Sequence, residues 1–142
     1  MARIPRDTSD WPIVYVTWPS RPIDDDDVEL FLKESLEELE RGTHVSIHLS
    51  EGGSGLRAKQ RRRVAEWMLE HHELIGQRIL GAAVVVRNPV LRAMVTAVNW
   101  MAPPPYPQHL FAEQHEARAW VEGQLTAAGI PLPTRQRSAS PR

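Results

Sequence analysis

Four short apolar runs, each followed by a longer segment with apolar residues at three- and four-residue steps, are spaced along residues 12–125. This alternation is the strongest constraint on the fold. A strand–helix repeat buries its apolar surfaces best as a mostly parallel sheet with helices laid on it. Pro12-Ile13-Val14-Tyr15-Val16-Thr17-Trp18 is the first run, β-branched and aromatic, stopped by Pro19 and Pro22. Asp24 to Asp27 then supply acceptors and negative charge where a helix start needs both. Val28, Phe31, Leu32, Leu36 and Leu39 form the inward stripe of that helix, which Gly42 ends. Thr43 to Leu49 alternates Val45, Ile47 and Leu49 against His44, Ser46 and His48, which predicts a strand with one apolar and one mixed face. A Gly-rich loop, Ser50 to Gly55, leads into a helix from Leu56 or Arg57 to about Ile75, with Gly76 as its stop. Gly81 to Val86 reads as a central parallel strand and Val90 to Ala102 as a third helix. Pro107 to Phe111 and Glu113 to Leu125 make the last strand and helix. The expectation is an α/β fold in (βα)4 order, a mostly parallel sheet of four strands, with room for a fifth, and four helices.

A chain of 142 residues suits one domain, expected over 11–127, with residues 1–10 as a flexible arm or a short edge strand and 128–142 as a disordered basic tail. With no cysteine, disulfides, thiolate metal sites and cysteine nucleophiles are excluded. No apolar run approaches the ~20 residues of a membrane span and no signal core follows Met1, so a cytoplasmic, non-spanning protein is expected. The net charge of −1 is a cancellation: Asp24 to Glu40 holds nine acids and one Lys, and Arg57 to Arg63 five basic residues in seven. Nucleic acid is not an expected partner, because the pI is near 6.6 and no aromatic platform adjoins the basic face.

No cofactor or metal is expected. Asp24 to Asp27 fit helix capping rather than a calcium loop. His44 and His48 lie four apart on a strand, about 13 Å. The sequence contains no Gly-x-Ser-x-Gly elbow, and an enzyme is not expected; a serine such as Ser50 or Ser54 acting with His48 would need an imidazole within reach of a hydroxyl. The basic residues that open the second helix face an unfavourable dipole. They read either as a solvated face near the acidic first helix or the downstream Glu66, Glu70 and Glu73, or as part of an anion site built from Arg21, Ser50, Gly53, Ser54, Arg57 and Arg87 at the strand ends. The third helix is apolar around more of its circumference than one sheet face needs. Val90, Leu91, Met94, Val98, Trp100 and Met101 are therefore candidates for a partner or dimer surface, or for the lip of an apolar cavity.

Arg78 to Val86, the apolar helix, the proline-rich Pro103 to Pro107, Leu110-Phe111-Ala112-Glu113 and Glu116-Ala117-Arg118-Ala119-Trp120-Val121 together resemble the C-terminal half of SpoIIAA-like (STAS/CRAL-TRIO-related) domains. In element order the resemblance covers residues 11–127. It implies a small non-enzymatic module that binds a protein partner or an apolar ligand. His48-Leu49-Ser50 with Gly52-Gly53-Ser54-Gly55-Leu56 is similar in part to the phosphoregulated loop of STAS domains. Here His48 and Gly52 replace the two acids and Gly53 takes the phosphoacceptor position, so a phosphoswitch would fall to Ser54. The leading expectation is a regulatory module that binds a protein partner, or a second copy, through the third helix and the Gly-rich loop. The alternative is a small lipid-like or anionic ligand at the carboxyl ends of the strands.

Overall fold

The apolar runs become strands of one sheet. The computed structural model describes residues 4–53 and 55–133. Its elements are β1 (Arg6–Asp10), β2 (Ile13–Trp18), α1 (Asp25–Arg41), β3 (His44–Ser50), α2 (Ala58–Glu70), α3 (His72–Arg78), β4 (Ile79–Val85), α4 (Pro89–Met101), β5 (Gln108–Phe111) and α5 (Gln114–Ala127). The sheet order is β1-β2-β3-β4-β5. Strands β2 to β5 are parallel and β1 is antiparallel to β2. The α/β architecture and the mostly parallel sheet are the expected ones, and the fifth strand for which the sequence left room is the antiparallel β1; one correction is that the described residues form five helices rather than four. Ser54 and the tail beyond Pro133 lie outside the described residues. Among those described, no helix is long and apolar enough to cross a membrane.

The extra helix arises at His71, where φ −108° and ψ 20° interrupt the expected second helix. A new turn starts at His72 and runs through Gly76 to Arg78, so Gly76 lies inside a helix instead of stopping one. The extra strand is the segment for which an arm and an edge strand were both open. Arg6–Asp10 carries no apolar alternation and is held by tertiary bonds. Arg6 pairs with Glu38 and donates to Ser35 Oγ at 2.9 Å, which ties β1 to α1. At the other end of the strand Asp10 pairs with Arg118 of α5 at 3.0 Å.

Helices cover both faces of the sheet. On one face Ala117, Val121 and Leu125, at four-residue steps along α5, pack against Ile13, Val45, Ile47 and Ala83. Ile130 and Leu132, placed by the sequence in the tail, join this cluster. On the opposite face Val14 and Val16 meet Val28 and Leu32 of α1, and Leu39 meets Ala65, Met68 and Ile75. Full burial of one such aliphatic side chain contributes about 1.5–3 kcal/mol. Helix α1 starts as its aspartates predict. The Asp27 amide donates to Asp24 Oδ1 at 2.8 Å and the Asp24 amide donates to Asp27 Oδ2 at 3.0 Å, a reciprocal capping box.

Candidate functional site

With helices on both faces, the mixed side of β3 points inward. His44, Ser46, His48 and Ser50 all line a cavity of about 230 Å³ between the sheet and helices α1, α2 and α4. An apolar cavity of about 150 Å³ already accepts benzene. The rest of the wall is largely aliphatic and aromatic, with Val16, Phe31, Val64, Trp67, Val84 and Val98 contributing. Helix α4 packs on α2, and its Leu91, Met94 and Val95 cluster with Val84, Val86 and Leu110. Asn88 caps α4 by accepting from the Val90 amide at 2.8 Å, and Pro89 occupies its first turn.

The polar groups on the cavity wall are mostly spent on each other. Trp18 Nε1–H donates to His48 Nδ1 at 3.1 Å. Since an indole nitrogen only donates, Nδ1 is the acceptor, and the proton sits on Nε2, 3.3 Å from Ser46 Oγ. Burial, reinforced by the nearby Arg6 charge, pushes the His48 imidazole down to about 4 and keeps it neutral. Its lone pair is committed to Trp18, so this imidazole does not serve as a base toward Ser46. Elsewhere on the wall Asn99 Nδ2 donates to Gln108 Oε1 at 2.6 Å, and burial pushes the Tyr106 phenol up to about 12. Burial likewise raises the Glu38 carboxyl, against the opposing pull of Arg6.

The six third-helix candidates divide between two faces of α4. Leu91, Met94 and Val98 line the cavity, whereas Trp100 is 83% exposed, Val90 60% and Met101 41%. The Gly-rich loop lies against this helix. A Cβ on Gly55 would stand 2.6 Å from Met94 Sδ, and one on Gly53 would stand 2.5 Å from the Ser20 carbonyl oxygen. Both residues hold positive φ, +70° and +82°, a region L side chains enter at a cost of roughly 1–3 kcal/mol. Ser50, Gly55 and Leu56 line the cavity beside this helix.

The proposed anion-site arginines are each already paired. Arg21 holds Asp27 at 3.1 Å, Arg57 holds Asp25 at 3.1 Å, and Arg87 pairs with Glu113 after β5. Ser50 Oγ accepts from the Gly52 amide at 3.2 Å. Lys59 and Arg63 also meet acids of α1, Asp25 and Glu29, so the basic and acidic blocks of the sequence are mutual partners. Most of the cavity wall was not in the sequence-derived site, Ser46 and Arg61 among it. Arg61 precedes Val64 and Met68 at helical spacing, a signal that would have placed it on the inward stripe. Among the described residues no group of His, Asp or Glu is arranged to hold a metal.

A model of the SpoIIAA-like family matches residues 13–122, from the first residue of β2 well into α5. The chain belongs to the SpoIIAA-like family. The matched span contains every strand of the parallel part of the sheet and every helix that lines the cavity. Comparison with curated proteins gives no match. In this SpoIIAA-like domain Gly55 packs against Met94 and Leu91 of α4, and Gly53 against the backbone of Ser20.

Proposed function

We propose that this SpoIIAA-like domain is a non-enzymatic regulatory module that takes up a small, largely apolar ligand beneath α4. Family membership supports the class of function, a regulatory or interaction module. The observation that carries the ligand reading is the cavity of about 230 Å³, walled by aliphatic and aromatic side chains and floored by Trp18, His48 and Ser46. Such a floor is polar yet demands no charged partner, since the indole N–H and both imidazole nitrogens are already hydrogen-bonded. Native mass spectrometry of the purified chain is expected to show a retained small molecule that acid unfolding releases. Clean apo masses from several independent preparations, with no uptake of added apolar compounds, would defeat the reading.

A second reading, binding of a protein partner or a second copy, is favoured by the outer face of α4, where Trp100 stands beside Met101 almost wholly in solvent. Under it, Trp100→Glu leaves far-UV circular dichroism intact and stability within about 0.5 kcal/mol, while a dimer or captured partner is lost. Loss of folding in that variant would remove the surface from consideration.

A further inference from the structure

Resting on the ligand reading, we propose that the occupant is an acyl-chain-like monocarboxylate whose carboxylate is bound by Arg61. Three observations carry this. The first is shape: the wall includes every inward residue of β3 from His44 to Ser50, a strand length of about 20 Å at 3.3 Å per residue. A cavity of about 230 Å³ that touches both ends of that strand has room for a single alkyl chain laid along it.

The second is charge. Of the basic block at the start of α2, Arg57, Lys59 and Arg63 are paired with Asp25 and Glu29 of α1. Arg61 lines the cavity and, among the described residues, pairs with no acid. Its NH1 donates to the Leu56 carbonyl at 2.8 Å. A guanidinium carries five N–H donors in a planar fork, so donors remain for the two oxygens of a carboxylate.

The third is polarity of orientation. At another part of the wall Glu38 is buried beside Arg6, and an anion seated there would meet a carboxyl group already disfavoured by burial. On the same wall the neutral His48 has spent both ring nitrogens on Trp18 and Ser46. The acid end therefore belongs at Arg61, next to Leu56 and the Gly-rich loop, and the chain along β3.

The test uses the whole chain with decanoate and 1-decanol, the same tail with and without the charge, below their aggregation limits. Binding is read by isothermal titration and by the fluorescence of Trp18 and Trp67, both on the cavity wall. Decanoate is expected to bind at least about tenfold tighter than 1-decanol, a difference of about 1.4 kcal/mol. Arg61→Gln removes most of that preference and leaves decanol binding unchanged, whereas Arg62→Gln, on the exposed side of α2, leaves both unchanged. A bulky side chain in the cavity, Val98→Phe, or at its rim, Met94→Trp, abolishes both in a protein that still folds. Equal binding of the two probes, or equal weakening by the Arg61 and Arg62 variants, overturns the carboxylate assignment and leaves the ligand reading standing. Binding that survives both blocking variants places the probes elsewhere and overturns it too. If neither probe binds and no small molecule is retained, both readings fall together.

Discussion

Arg118→Ala is expected to lower the unfolding free energy by about 3–5 kcal/mol, the usual cost of removing one member of a buried ion pair. Arg118 donates to Asp10 Oδ2 at 3.0 Å, to Tyr15 Oη at 2.8 Å and to Glu122 Oε2 at 2.7 Å. The Arg118 and Asp10 side chains are only 14% and 8% exposed. Burial works against the guanidinium charge, and the bonds from Glu122, Asp10 and Tyr15 more than offset it, so the Arg118 pKa is raised. Truncation keeps the Asp10 carboxylate buried without that cation and cuts the tie between α5 and the β1–β2 hairpin. In a domain of this size the loss corresponds to a fall in Tm of roughly 10 °C or more. Arg57→Ala, which removes a solvent-exposed pair with Asp25, is expected to cost under about 1 kcal/mol. Similar effects from the two substitutions in thermal or denaturant melts would show that burial does not set the value of the Arg118 network.

The second large effect is a dependence of stability on pH. His48 has an ordinary value of 6.5 when the chain is unfolded and about 4 in the folded protein, lowered first by burial and then by Arg6. Between those values the unfolded state takes up a proton that the folded state refuses, so stability rises with pH across the window. The contribution is complete above about pH 7. It is lost as pH falls toward 4, and is worth about 3 kcal/mol in all. Protonation at Nδ1 would also turn the Trp18 N–H toward a second donor. His48→Phe has no such titration, so its urea-derived unfolding free energy is expected to fall less than that of the wild type between pH 7 and 4.5. Contributions from His44 and Glu38, lowered and raised by burial respectively, persist in both proteins and cancel in the difference. Parallel curves for the two proteins would refute the buried, neutral His48.

The order of strands and helices was readable because each apolar run ends at a proline, glycine or acidic cap, as at Pro19, Gly42 and Asp24. The aspartate cap of α1 followed from local chemistry alone, whereas the match of acidic α1 with basic α2 was one of the open readings of the basic block. Strand β1 was less legible, since Arg-Asp-Thr-Ser-Asp has no apolar period and owes its pairing to distant partners, Glu38 and Arg118. The break at His71 also has no glycine or proline to announce it.

The site was hidden for a different reason. An alternating strand is ordinarily read with its polar side in water, yet in a sheet covered on both faces His48 and Ser46 turn inward and satisfy one another. The excess apolarity of α4 did carry information, because Leu91 and Trp100 serve opposite sides of one helix. Arg61 was lost among its basic neighbours, since only the positions of Asp25 and Glu29 reveal which cations are already matched.

Helix α4 carries Leu91, Met94 and Val98 on the cavity wall and Val90, Trp100 and Met101 in solvent, so one rigid element would be shared by an inner and an outer occupant. Were both present, reciprocity would bind them: a molecule on the outer side would change the interior affinity by the same factor as an interior guest changes the outer one.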